Sequence, residues 1–190
     1  MDRREALKRT VLMMGGILSA PTIIGILNSC TTKPTIDWKP ELFSQDQGIL
    51  VSQISDIIIP KTDTPGAKET GIPSFIDQMV KEVFTKEDRD KFMAGMNAFN
   101  EEAKKEYGDP FIELSQEQQT AFVKKMHDAA INSNAKDEHP FILTVKELTV
   151  AGFFTSEAGA SKVLQYEAVP GAYHGCLPLN KTGNGKTWAT

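Results

Sequence analysis

Side chains with catalytic or metal-binding chemistry are few in this sequence and do not cluster. The pairs His127–Asp128 and Glu138–His139 are the nearest approach to a metal or acid–base motif. The first pair is predicted to lie on a helix, where sequence neighbours face apart, and the second borders a proline loop. Asp63 lies among turn-forming residues, which explain it without a site. We therefore assign no catalytic, cofactor-binding or metal-ligating residue.

Nucleotide and haem motifs are incomplete or absent. The segment TGNGKT at 182–187 has part of a phosphate-binding loop, but the full motif needs a glycine where this chain has Asn180. The sequence contains no G-x-G-x-x-G and no C-x-x-C-H. Its two cysteines, Cys30 and Cys176, are too few for an iron–sulfur cluster or a four-thiolate zinc site.

Composition indicates one globular domain of ordinary polarity. The chain has 190 residues, of which 40% are hydrophobic and 24% are charged. The net charge is −4 and the pI is about 5.4, which argues against nucleic acid as a partner.

Residues 1–29 are predicted to be a twin-arginine signal peptide. Arg3 and Arg4 resemble the paired arginines of that signal, although Ala6 stands where the pattern prefers a large aromatic residue. An apolar run, interrupted by glycines and a proline, extends from Val11 to Leu27. Such signals export proteins that are already folded. An uncleaved anchor helix is the alternative.

The end of this segment, LNSC at 27–30, resembles a lipobox. Cleavage there would leave Cys30 as the lipidated first residue, whereas the alternative is an ordinary thiol. Residues 30–43 contain two prolines and no clear period, so we predict a tether between a lipid anchor and the domain.

Residues 44–190 predict an all-α fold: a single small domain of about five helices with irregular Pro/Gly-rich loops and an extended C-terminal tail. Ser44 with Gln47, and Ser115 with Gln118, are capping boxes, and Thr85 is a further N-cap. Apolar residues recur at helical spacing after each of these starts and after Pro73 and Pro140. In the first two helices the predicted apolar positions include Ile57, Ile58 and Val83.

The helical period fades after about residue 160. Residues 165–190 carry few helical signals but include Tyr166, Tyr173 and Trp188. Aromatic residues in irregular chain are typical of an interface, so we predict that this tail contacts a partner. Cys176 lies within it and is predicted to be at that contact or in an inter-subunit disulfide. The alternative is that the tail wraps the chain's own helices and buries Cys176.

Two blocks of the sequence resemble signature segments of the gluconate 2-dehydrogenase subunit 3 family. They are ISDIIIPKTDTPGAKETGIPSFID at 54–77 and GFFTSEAGASKVLQYEAVPGAYHGCLPL at 152–179. The resemblance implies a non-catalytic small subunit that escorts and stabilises a flavin-dependent dehydrogenase of sugars or sugar acids. The expected membrane anchor comes from the lipobox-like Cys30, in which this chain departs from many members of the family. The resemblance also implies FAD in the large subunit and none in this chain, with a cytochrome c subunit as a further candidate partner. The expected location is the periplasmic side of a bacterial membrane, reached by twin-arginine export.

Two alternatives of different classes remain open. One is an independent enzyme that uses Asp63, His127 or His174, and the other is a stand-alone periplasmic ligand-binding lipoprotein.

Overall fold

The computed structural model describes residues 34–133, 140–169, 171–172, 176–181 and 185–189. Apart from Pro34, these residues belong to one compact unit, Thr35–Thr190. Several residues named above lie outside the described ones: Arg3, Arg4, Cys30, His139, Tyr173 and His174.

Five α-helices dominate the described residues, which confirms the predicted all-α domain. They are α1 (Gln45–Ile58), α2 (Ile72–Glu82), α3 (Lys86–Tyr107), α4 (Gln116–Asn132) and α5 (Phe141–Thr155). Short 3₁₀ turns lie at Phe111–Glu113 and Leu179–Lys181, and a π-helical turn lies at Gly159–Val163. Within this part of the chain, no helix combines the length and apolarity that crossing a membrane requires.

The predicted helix starts are confirmed by their caps. The Ser44 hydroxyl accepts from the backbone N–H of Gln47, whose side-chain oxygen accepts from the N–H of Ser44 at 2.8 Å. Ser115 and Gln118 repeat this arrangement at the start of α4. Thr85 caps α3 by accepting from the N–H of Asp88. Each cap satisfies backbone donors that have no partner within the helix.

Helix α5 is the central element, because it contacts each of the other four α-helices. Its Phe141, Val145 and Phe153 are buried in the core. The buried hydroxyl of Thr149 lies 2.7 Å from the carbonyl oxygen of Val145 and 3.3 Å from the Ser55 hydroxyl of α1. A buried polar group is therefore satisfied where two apolar helices meet.

Aromatic rings connect α3 to both α4 and α5. Phe99 lies 5.2 Å from Phe111 and 4.9 Å from Phe122 between ring centroids, and Phe92 lies 5.0 Å from Phe141. Their steep interplanar angles are the edge-to-face geometry that aromatic pairs favour.

Three of the predicted apolar positions are not fully buried, one because its helix ends and two because they face a groove. Val83 is the C-cap of α2 and is 63% exposed, because the helix has already ended before it. Ile57 and Ile58 are only half-buried, since they face a groove between α1, α4 and α5.

A buried carboxylate joins the segment before α1 to α2. Asp77 is 1% exposed, and its oxygens accept from the backbone N–H groups of Glu41 at 2.7 Å, Leu42 at 3.2 Å and Phe43 at 2.8 Å. Trp38, in the same segment, packs against the core. Residues 41–43 of the predicted tether therefore contact the helical domain.

Replacing Asp77 by Asn is expected to lower the free energy of unfolding by about 2–3 kcal/mol, because an amide nitrogen cannot accept from these buried N–H donors. Urea unfolding measures the change. Asp90→Asn, at an exposed site on α3, is the matched control. Equal stability of the two variants would contradict this role for Asp77.

Candidate partner-binding surface

The two sequence blocks come together at one end of the domain. Helices α2 and α5 are in contact there, and a Cβ at Gly152 would lie only 2.7 Å from the Phe75 ring, so glycine permits the close packing. A polar cavity of about 520 Å³ opens between the blocks. Its lining residues are Pro65, Glu69, Thr70, Gly71, Ser156, Glu157, Ala158 and Lys162.

The loop of the first block is held by backbone and carboxylate contacts. The N–H of Ala67 donates to the carbonyl of Ile59 at 2.9 Å, and the N–H of Gly66 donates to Glu69 at 2.8 Å. Hydrogen bonds from Lys61, then from the Gly66 N–H, lower the pKa of the Glu69 carboxyl. A Cβ at Gly66 would lie 2.6 Å from the backbone nitrogen of Lys61, so this turn requires glycine.

The second block turns sharply after α5. The Ser156 hydroxyl donates to the carbonyl of Phe153 at 2.6 Å and accepts from the N–H of Gly159 at 3.2 Å. A Cβ at Gly159 would lie 1.9 Å from the Phe153 carbonyl oxygen, which excludes any other residue in this backbone. The cavity therefore lies between two segments whose backbones are constrained by glycine.

The C-terminal tail is tied to the second block at both of its ends. The N–H of Gln165 donates to Thr187 at 2.8 Å, and the N–H of Ala189 donates to the carbonyl of Gln165 at 2.7 Å. The Lys186 ammonium also donates to the carbonyl of Lys162. These contacts hold residues 186–189 beside Lys162, which lines the cavity.

Exposed apolar side chains concentrate in this tail. Among the described residues, five of the eight exposed large hydrophobic side chains lie between 166 and 188: Tyr166, Val169, Leu177, Leu179 and Trp188. Tyr166 is 64% exposed and Trp188 is 40% exposed. Cys176 is also exposed and forms no disulfide within the described residues, so the structure does not bury it as the alternative required.

The two described residues of the independent-enzyme alternative, Asp63 and His127, lie on different elements and share no contact. Asp63 is exposed in the loop after α1, whereas His127 lies on α4. His127 and Asp128 do meet, with Nδ1 3.3 Å from Oδ1, so the expectation that these neighbours face apart was wrong. The described residues contain no group of three His, Cys, Asp or Glu side chains that would hold a metal ion.

Sequence reasoning missed two residues that shape this end of the domain. Asp77 gave a weak signal, since it directly follows Phe75 and Ile76 in a helix whose other face is polar. Gly159 gave none, because a glycine in an apparently helical run does not reveal which backbone atom it must clear.

A comparison with protein families matches residues 45–171 to the family described as gluconate 2-dehydrogenase subunit 3. The matched range contains the first block, all five α-helices and the second block as far as Gly171. Comparisons with curated proteins and with solved structures gave no match.

Proposed function

Because this chain belongs to the gluconate 2-dehydrogenase subunit 3 family, it is an accessory subunit of a gluconate 2-dehydrogenase-like complex, and we propose what it does there. It escorts a flavin-dependent sugar or sugar-acid dehydrogenase through twin-arginine export. It stabilises that catalytic subunit and anchors it on the periplasmic side of the membrane through Cys30. The FAD is bound by the catalytic subunit, and a cytochrome c subunit is a further partner.

The observation that carries this proposal is the exposed apolar tail. A side chain such as Tyr166 or Trp188 removes substantial apolar area from water when a partner covers it. Aromatic residues also dominate the binding free energy of many protein interfaces. The tail's two ends are tied to a glycine-constrained segment, which limits the conformational entropy lost when the partner binds.

The exposed aromatic residues of the tail generate a binding prediction. Tyr166→Ser and Trp188→Ser are each expected to weaken binding of the catalytic subunit by about tenfold or more, because each removes an aromatic contact. Surface plasmon resonance on co-expressed, separated subunits measures the affinity. Val83→Ser, which changes an equally exposed apolar residue outside the tail, is the control and should bind normally.

Cys176 provides a second, independent test of the tail interface. A non-reducing gel of the native complex is expected to show a partner-sized shift that disappears on reduction and in Cys176→Ser. Absence of the shift would refute the inter-subunit disulfide but not the interface. Unchanged affinity in both Tyr166→Ser and Trp188→Ser would refute the interface itself.

The paired arginines generate an export prediction. Replacing Arg3 and Arg4 together by lysine keeps the charge and removes the guanidinium shape. We expect both this subunit and its catalytic partner to remain in the cytoplasm, measured by dehydrogenase activity after cell fractionation. Arg9→Lys, in the same basic region, is the control and should export normally. Normal periplasmic activity in the double variant would refute the escort role.

Cys30 generates the anchoring prediction. Metabolic labelling with a radioactive fatty acid is expected to label the wild-type chain and Cys176→Ser, but not Cys30→Ala. Each buried methylene of the attached chain adds about 0.8 kcal/mol of membrane affinity. Cys30→Ala should also block lipoprotein-type cleavage, so the variant should run on a gel as the longer, uncleaved chain. Equal labelling of Cys30→Ala and Cys176→Ser would show that Cys30 is not the site of lipid attachment.

A further inference from the structure

A second surface feature lies away from the tail, in the groove between α1, α4 and α5. The groove has a volume of about 260 Å³. Its floor consists of aliphatic side chains from all three helices: Ile57, Ile58, Val123 and Ile142. These side chains offer methyl and methylene groups and no hydrogen-bonding atoms.

A lysine stands at the edge of this apolar floor. The half-buried Lys146 places its ammonium nitrogen 2.7 Å from Nε2 of His127. An ammonium group only donates, so Nε2 accepts, and the ring proton is on Nδ1, facing Asp128 at 3.3 Å. The charge of Lys146 is thus directed at an imidazole ring and not at a carboxylate.

This arrangement differs from that of the lysines that pair with carboxylates. Lys81 and Lys125 each contact a glutamate carboxylate, at 2.6 and 2.7 Å. Lys124 and Lys146 both line the groove, and neither has a carboxylate partner among the described residues. Although the whole chain has a net charge of −4, the residues that line this groove include two lysines and no carboxylate.

We propose that this groove binds an aliphatic carboxylate. The alkyl chain covers the isoleucine and valine floor, which removes apolar surface from water. The carboxylate takes the free donors of the Lys146 ammonium in a charge-assisted hydrogen bond. The apolar surroundings strengthen this pair, because fewer water molecules screen it.

The same floor disfavours a sugar acid. Each hydroxyl of a polyhydroxylated acid would lose its water without gaining a partner from Ile57, Ile58, Val123 or Ile142. The site is therefore distinct in chemistry from any sugar-acid site of the complex. This inference goes beyond the accessory role and does not depend on it.

The test uses decanoate as the probe. Nitrogen-15-labelled full-length chain is titrated with decanoate, decan-1-ol, acetate and gluconate, and the amide shifts are followed by NMR. Decanoate is expected to shift amides of α1, α4 and α5 around the groove and to bind at least about tenfold more tightly than decan-1-ol. Acetate and gluconate, which lack an alkyl chain, are expected to give no saturable shifts there.

Lys146→Met separates charge from packing, since methionine keeps most of the side-chain length. The variant is expected to lose about tenfold in decanoate affinity and to bind decan-1-ol unchanged. Lys104→Met, which removes an exposed lysine paired with Glu101 on α3, is the control and should behave as wild type.

Three results would overturn the proposal. They are equal affinity of the wild-type chain for decanoate and decan-1-ol, shifts confined to the tail, and unchanged decanoate binding in a folded Lys146→Met variant. If Lys146→Met does not fold, the affinities of the wild-type chain for decanoate and decan-1-ol alone test the proposal. Weakened assembly with the catalytic subunit in Lys146→Met, without decanoate binding to the free chain, would instead assign the groove to a partner side chain.

Discussion

The structure depends on one buried carboxylate more than on any other single group. Asp77 loses nearly all contact with water, so its charge must be satisfied by donors of the protein. Those donors are successive backbone N–H groups at 41–43, and only a chain held in one conformation presents them together. The requirement of one side chain on α2 therefore fixes the path of the chain into α1.

Packing then extends this constraint across the domain. Phe43, whose N–H binds Asp77, stacks on Phe92 of α3 at 6.0 Å between ring centroids. Phe92 in turn contacts Phe141 at the start of α5, the helix that meets all the others. The carboxylate and the aromatic core are thus joined through one residue. The free-energy cost of removing the Asp77 charge from water is offset in part by the burial of the apolar side chains that Phe43 joins.

Local chemistry made the helices predictable, and tertiary packing made the rest unpredictable. The capping boxes at Ser44 and Ser115 act within four residues, so their signal is complete in the sequence. Periodicity shows which residues of a helix share a face, but not whether a neighbour covers that face. Ile57 and Ile58 follow the apolar period and still face an open groove. Asp77 breaks the period and is nevertheless buried, and the sequence does not show this because its partners are more than thirty residues away.

The two sequence blocks show how family signature and burial differ. Apart from Gly66 and Ala67, the segment 60–71 is not buried, and neither is most of 154–163. Burial therefore does not explain why these residues are of such particular types. Gly66 and Gly159 are each required because a Cβ there would clash with a backbone atom, and Glu69 and Ser156 accept hydrogen bonds within the same turns. The particular residue types in these blocks hold exposed backbone in one conformation beside the tail. A preformed surface of this kind loses little conformational entropy when another protein binds to it.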